Sequence, residues 1–354
     1  MESVEAVTAI DLFAGAGGST LGLLRARCDV RLAVECDRDA VSTYRANFPS
    51  VELLPGLIES YTPTCIRRKA KLGSHGLGIL SACPPCQGFS TLGACDREDE
   101  RNDYVLTVGA LVAELQPKAL ILENVPGLER DSRCSVLKDM LISLGYGIGS
   151  WVLDASEFCV PQRRRRFVLL AVRGLSDDEV VDPRKEYKCR KRPKHPHTVR
   201  EVIESVGPLR ANDPLHKARQ LPADVLKRAK AIPHDGGSRW DLPQSLQLAC
   251  HKRLNNRSAG NSYGRMRWDN VAPTMTTRCT TPACGRFLHP SEDRPITLRE
   301  AAAFQTFPST YKWKSGVMSV ARQIGNAVPV RFAHVLALHT LGLIEHAQER
   351  GESC

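Results

Sequence analysis

The sequence lacks any run approaching 18 consecutive apolar residues, which excludes an ordinary transmembrane helix. It lacks a signal peptide too, because Met1-Glu2-Ser3-Val4-Glu5 places acids where such a segment carries a basic region. No internal repeat and no low-complexity linker interrupts it, so solenoids and arrays are excluded. Thirteen cysteines are an odd number without even spacing, which argues against a secreted disulfide framework and for thiols in a reducing compartment. These absences together predict a soluble, cytoplasmic protein with no membrane partner.

What remains is an ordinary globular composition. The chain has 354 residues, 42% hydrophobic and 25% charged, enough for two domains or for one large α/β unit with an insertion. The net charge of +10 is unevenly placed: residues 1–174 hold 20 Lys and Arg against 21 Asp and Glu, so the second half carries the whole excess. Residues 184–286 hold 22 basic side chains against 8 acidic ones. A surplus of that size either solvates a surface or neutralises the phosphates of a nucleic acid, and the second reading is favoured.

Short aliphatic runs alternate with amphipathic stretches through residue 174, the pattern of repeated βαβ units. Strands are predicted at 6–13, 31–35, 78–82, 119–122 and 167–172, and helices at 19–26, 38–47, 105–115 and 135–144. Prolines and basic residues then break the pattern until helices return at 297–305 and 330–345. The fold class expected is α/β, a doubly wound, mostly parallel sheet with an inserted smaller, irregular basic domain. Its boundaries are set at 1–174 for the first part of the catalytic domain, 175–295 for the insertion and 296–354 for a hinge and closing helix.

Four segments carry the chemistry. Asp11-Leu12-Phe13-Ala14-Gly15-Ala16-Gly17-Gly18 is a glycine-rich strand-to-helix turn, and Glu35 follows Gly15 by 20 residues, where nucleotide folds place a carboxylate on ribose hydroxyls. The glycine spacing departs from the dinucleotide fingerprint, so a ribose-bearing ligand other than NAD is implied; the alternative is a plain tight turn. Cys83-Pro84-Pro85-Cys86 ends a strand, and Cys86 reads as a nucleophile, as half of a redox or zinc pair, or as an inert thiol. Zinc needs about four ligands and this is the one C-x-x-C, so no metal is expected. Glu123 ends another strand, as a proton-handling group or a surface ion-pair partner. In Gln162-Arg163-Arg164-Arg165-Arg166, alternation puts Gln162, Arg164 and Arg166 on one face.

With Gln323-Ile324-Gly325-Asn326-Ala327-Val328-Pro329 closing the series, the ordered segments resemble those of cytosine-5 DNA methyltransferases of the bacterial restriction-modification type. The resemblance spans nearly the whole chain. It implies S-adenosylmethionine as cofactor, held by Phe13, Gly15, Ala16, Gly17, Gly18, Glu35, Ile58, Pro85 and Asn326. It implies Cys86 as the nucleophile on cytosine carbon-6, Glu123 on the ring nitrogen and exocyclic amine, and Arg164 and Arg166 orienting Glu123 and the base. Gln87, Ser90, Gln162, Arg265, Arg267 and Thr276 would touch nucleic acid, and residues 90–102 would form a lid.

The implied partner is double-stranded DNA, engaged by a monomer, with any restriction endonuclease a separate chain. Two rivals remain: an RNA cytosine-5 methyltransferase on the same framework, and a non-catalytic protein using Cys83 and Cys86 as a dithiol. One departure is visible, for Pro55-Gly56-Leu57-Ile58-Glu59 lacks the acid that meets the cofactor's adenine in the family. Glu59 or a backbone carbonyl would have to take its place.

Overall fold

The computed structural model describes residues 6–73, 76–85, 103–187, 197–252 and 261–352. The chain divides into two compact units, the first made of Met1–Phe158, Arg165–Cys189 and Val328–Cys354, the second of Cys159–Arg164 and Arg190–Ala327.

The first unit begins with β1 (Thr8–Leu12), α1 (Gly18–Arg25), β2 (Asp29–Glu35), α2 (Arg38–Asn47), β3 (Glu52–Pro55) and α3 (Pro63–Lys69). It continues with β4 (Ile79–Ala82), α4 (Tyr104–Leu115), β5 (Ala119–Asn124), α5 (Ser132–Ser143), β6 (Tyr146–Asp154), β7 (Arg165–Arg173) and α6 (Pro183–Glu186). The strands form one sheet in the order β3-β2-β1-β4-β5-β7-β6. Neighbours run parallel from β3 through β5, and β7 is antiparallel to both β5 and β6. This is the doubly wound, mostly parallel sheet expected of the sequence. Strands covered on both faces need apolar side chains on both, which is why every residue of β4 and β5 is buried.

Sequence periodicity misses β3 and β6, both at sheet edges. Strand β3 has only four residues, and Gly147 and Gly149 dilute the β propensity of β6. The helices are fixed at their starts by local chemistry: the Asp37 carboxylate accepts from the backbone N–H groups of Asp39 and Ala40, capping α2.

The second unit holds α7 (Val199–Val206), α8 (Ala223–Ala231), α9 (Ala249–Lys252), α10 (Leu298–Phe304) and α11 (Val317–Asn326). Between them the described backbone is irregular, as the prolines predict. Capping boxes start α7 at Thr198 with Glu201 and α10 at Thr297 with Glu300. A small core gathers Ala229, Ile232, Leu242, Tyr263 and Leu288.

Helix α12 (Val330–Glu352) returns to the first unit and packs along α1. A Cβ on Gly22 of α1 would stand 2.5 Å from the Ala333 side chain, so only glycine lets the two helices approach this closely. The apolar stretch containing α12 is long enough to cross a bilayer, yet its most apolar 18 residues are 72% buried inside the protein. One cysteine departs from the expectation of free thiols, for Cys159 is disulfide-bonded.

Candidate active site

The chain lays β2 and β3 on one side of β1 and β4 and β5 on the other, so strand order reverses between β1 and β4. Ligands of open α/β sheets bind beyond the carboxyl ends of the strands at such a point. Register brings those ends level, with Leu12 opposite both Val34 and Ala82, and Ala82 opposite Leu122. Antiparallel β7 brings its amino end to the same edge, pairing Phe167 with Asn124.

The glycine turn follows β1. Phe13 takes a left-handed φ of 57° and packs its ring 5.5 Å from that of Tyr104. Gly15 and Gly17 are also left-handed, for two different reasons. A Cβ on Gly17 would meet the Phe48 ring at 2.3 Å, whereas a Cβ on Gly15 would meet nothing within 4 Å. Gly17 is therefore required by packing, and Gly15 leaves open backbone beside a carboxylate. The Ala16 side chain is buried, as is Gly18 at the start of α1, so what this part of the turn can present is backbone.

Glu35 braces the turn. Its Oε2 accepts from Gly15 N at 2.7 Å and its Oε1 from Asp37 N at 2.7 Å. Burial pushes its carboxyl above the ordinary value, and these backbone donors pull it back. A carboxylate held by two amides still has lone pairs for ribose hydroxyls. With the open space at Gly15, the edge fits a ribose-bearing cofactor. The next turn, residues 58–60, buries Ile58 in the core and leaves Leu57 53% exposed. Leu57 is the side chain presented there, one position before the expected Ile58.

Beneath the turn lies Asp11, fully buried. Its Oδ2 accepts from the Ser19 and Thr20 hydroxyls at 2.5 and 2.6 Å, tying the first turn of α1 to β1. Burial pushes its carboxyl from 3.8 up to about 6, with the Ser19, Thr20 and Ser81 hydroxyls acting the other way.

Beyond β4, Cys83, Pro84 and Pro85 approach Cys86, which lies outside the described residues together with Gln87, Ser90 and the 90–102 segment. Burial, then the charges of Glu123 and Asp11, hold the Cys83 thiol well above its ordinary value, which disfavours a reactive dithiol. Asn124 was legible only as part of a motif, and the structure gives it a task. Its Nδ2 donates to Pro84 O at 3.1 Å while its Oδ1 accepts from Val125 N at 2.8 Å, fixing the segment that leads into Cys86. Glu123 is 8% exposed, with Arg166 Nε 3.0 Å from its Oε1 in an ion pair whose N–H is not aligned for a hydrogen bond.

The second unit uses its arginines differently. Gln162 is fully buried and saturated: Nε2 donates to Phe304 O at 3.0 Å and to Gln305 Oε1 at 2.6 Å, while Oε1 accepts from Met275 N at 2.9 Å. It is a structural residue and not the nucleic-acid contact expected. Arg164 precedes β7 and donates to Met275 O and Gly325 O, both at 3.1 Å. Its guanidinium holds backbone, which leaves Arg166 as the arginine beside Glu123.

Arg265 is also corrected. It is fully buried, donating to the carbonyls of Ala229, Ile232, His289 and Glu292 and pairing with Asp293, so it cannot read a base. Arg267 is exposed, Thr276 is half-buried, and Asn326 is exposed as the last residue of α11.

A family model described as C-5 cytosine-specific DNA methylase matches residues 7–340. The Type II methylase M.HgiDII of Herpetosiphon aurantiacus is 34% identical, covering 96% of this chain and 97% of that protein. The Type II methyltransferase M1.BsuMI of Bacillus subtilis (strain 168) is 31% identical, covering 96% and 81%. The crystal structure of the S. pombe Dnmt2 methyltransferase superposes with a TM-score of 0.67 at 17% identity, covering 96% of this chain and 99% of that one, a likeness of fold. Matched along nearly its whole length in sequence and sharing the fold, the chain belongs to the C-5 cytosine-specific DNA methylase family.

Proposed function

We propose that the chain transfers a methyl group from S-adenosylmethionine to carbon-5 of a cytosine flipped out of duplex DNA. The observation that carries this reading is the sheet edge of the first unit. There a buried Glu123 beside Arg166, a Glu35-braced turn and an Asn124-tied approach to Cys86 end neighbouring strands. S-adenosylmethionine, when bound, supplies an electrophilic methyl group. Phe13, the backbone of 15–18, Glu35, Pro85 and the turn at Leu57 and Ile58 would hold it, with Asn326 as a further contact.

The Cys86 thiolate forms a bond to carbon-6 of the ring, and the displaced electron pair makes carbon-5 nucleophilic. Glu123 bonds the ring nitrogen at position 3 and the exocyclic amine, and so stabilises the charge that develops there. Arg166 keeps the Glu123 carboxyl in place. After carbon-5 takes the methyl group, its proton leaves to a base and the bond to sulfur breaks, which restores the ring and frees Cys86. Approach to carbon-6 requires the base to leave the stack at a cost of about a few kcal/mol. Contacts from the basic 175–295 region, Arg267 among them, offset that cost. In this division 1–174 and 296–354 act as the catalytic domain and 175–295 as the target-recognition domain. The enzyme works as a cytoplasmic monomer, with any endonuclease separate.

The test is transfer of radiolabelled methyl from S-adenosylmethionine to unmethylated duplex DNA, run beside a transfer-RNA pool and Cys86→Ser. Label in DNA that vanishes with Cys86→Ser is the expected result, and sequencing the product then gives the site. Label confined to RNA overturns the substrate assignment.

A further inference from the structure

Exposed tryptophan is expensive to leave in water, and the second unit presents one in an unusual setting. Trp268 shows the ordinary arrangement. Its ring has the Arg200 guanidinium 5.1 Å from the centroid and the His289 ring at right angles, 5.3 Å between centroids, and Asp269 holds Arg200 in turn. Trp240 is 50% exposed, and among the described residues its ring has a partner on one side alone. The Arg239 guanidinium lies 4.0 Å from the ring centroid, and Arg239 is itself 3% exposed. Among the described residues no second ring or cation flanks the indole.

The backbone beneath it is locked. Ser238 N donates to Asp241 Oδ2 at 2.8 Å, Trp240 N donates to Ser238 Oγ at 3.3 Å, and Leu242 anchors the turn in the core of the unit. The turn that carries the indole is thus fixed, which lowers the entropy lost when something stacks on it. The surroundings select the ligand. The Arg267 side chain lies across Gly236, and Arg286 donates to Gly236 O and Gly237 O. The carboxylates of this stretch are engaged, Asp241 with Ser238 and Asp235 with Trp268 N at 2.7 Å. An arginine-backed aromatic face in a region this basic suits a polyanion whose units carry flat rings.

We propose that Trp240 is a stacking contact for the DNA substrate, its open face receiving a nucleobase unstacked when the target cytosine is flipped. The inference rests on duplex DNA being the substrate. It assigns Trp240 to binding and not to chemistry, so its loss acts on KM and spares kcat.

The experiment compares wild type, Trp240→Ala and Trp240→Phe on an unmethylated duplex carrying the site that sequencing defines. Trp240→Ala should raise the KM for DNA about ten-fold, the loss of one aromatic–base stack, while kcat stays within about two-fold. Trp240→Phe should recover most of the affinity. The chain has four tryptophans, so duplex-induced quenching present in wild type and diminished in Trp240→Phe reports the stack directly. A Trp240→Ala protein with wild-type KM, or quenching unchanged in Trp240→Phe, overturns the inference. If wild type methylates no duplex, it is the substrate reading that falls, and the two failures are distinguished.

Discussion

Each unit holds a glutamate against an arginine, and the two pairs are built to opposite ends. In the second unit Arg294 donates to both oxygens of Glu300 at 3.0 Å, Thr297 N adds a third bond at 2.7 Å, and Glu300 is fully buried. In the first unit Glu123 meets Arg166 through one unaligned contact at 3.0 Å. The saturated pair has nothing left to offer a ligand and fixes a fold. The unsaturated pair, at a sheet edge, keeps acceptor capacity that only a ligand can use. A glutamate and an arginine in a sequence do not say which of these they are; the count of aligned partners does.

The sharpest way to break the comparison is to neutralise each glutamate. Glu123→Gln should lower methyl transfer by about 10²–10⁴-fold, the range for a positioned acid–base group, with little change in the urea midpoint. Glu300→Gln should instead destabilise the protein by about 3–5 kcal/mol, because it leaves the buried Arg294 guanidinium short of its partner. A Glu123 variant that unfolds, or a Glu300 variant as stable as wild type, would erase the distinction.

Asp11 supplies the next test, as a buried carboxylate with no cation beside it among the described residues. Its folded value of about 6 exceeds the unfolded 3.8, so the buried charge opposes folding fully above pH 6 and progressively less as pH falls toward 3.8. Asp11→Asn should therefore be more stable than wild type at pH 8 by up to about 3 kcal/mol, with the advantage shrinking toward pH 4. Urea midpoints across that range check the sign, and an advantage that grows on acidification refutes it. The smallest effect belongs to Arg267→Ala. It should leave stability within about 0.5 kcal/mol while reducing the slope of log DNA affinity against log salt by about one.

The same contrast explains what could be read without a structure. The strands β1, β2, β4, β5 and β7 were legible because strands buried on both faces are continuous apolar runs, whichever way they run, and the glycine turn and Glu35 because their spacing is a mechanical requirement of the fold. Which arginines are engaged internally was not legible. Arg265 and Arg267 stand two residues apart in one basic stretch, yet one is enclosed by four carbonyls and a carboxylate and the other faces water. Partners from residues 229–293 decide that, and no local pattern encodes them. The separate reasons for Gly15 and Gly17 were hidden likewise, since Phe48 is remote in sequence.

The packing of α12 on α1 has a consequence for synthesis. Helix α12 lies far downstream of the α1 it covers, so during synthesis one face of α1 stays bare until α12 has emerged from the ribosome. Gly22, shaped to receive Ala333, has no neighbour during that interval. A chain that stops before α12 would carry the glycine turn ahead of an uncovered α1, a species open to proteolysis.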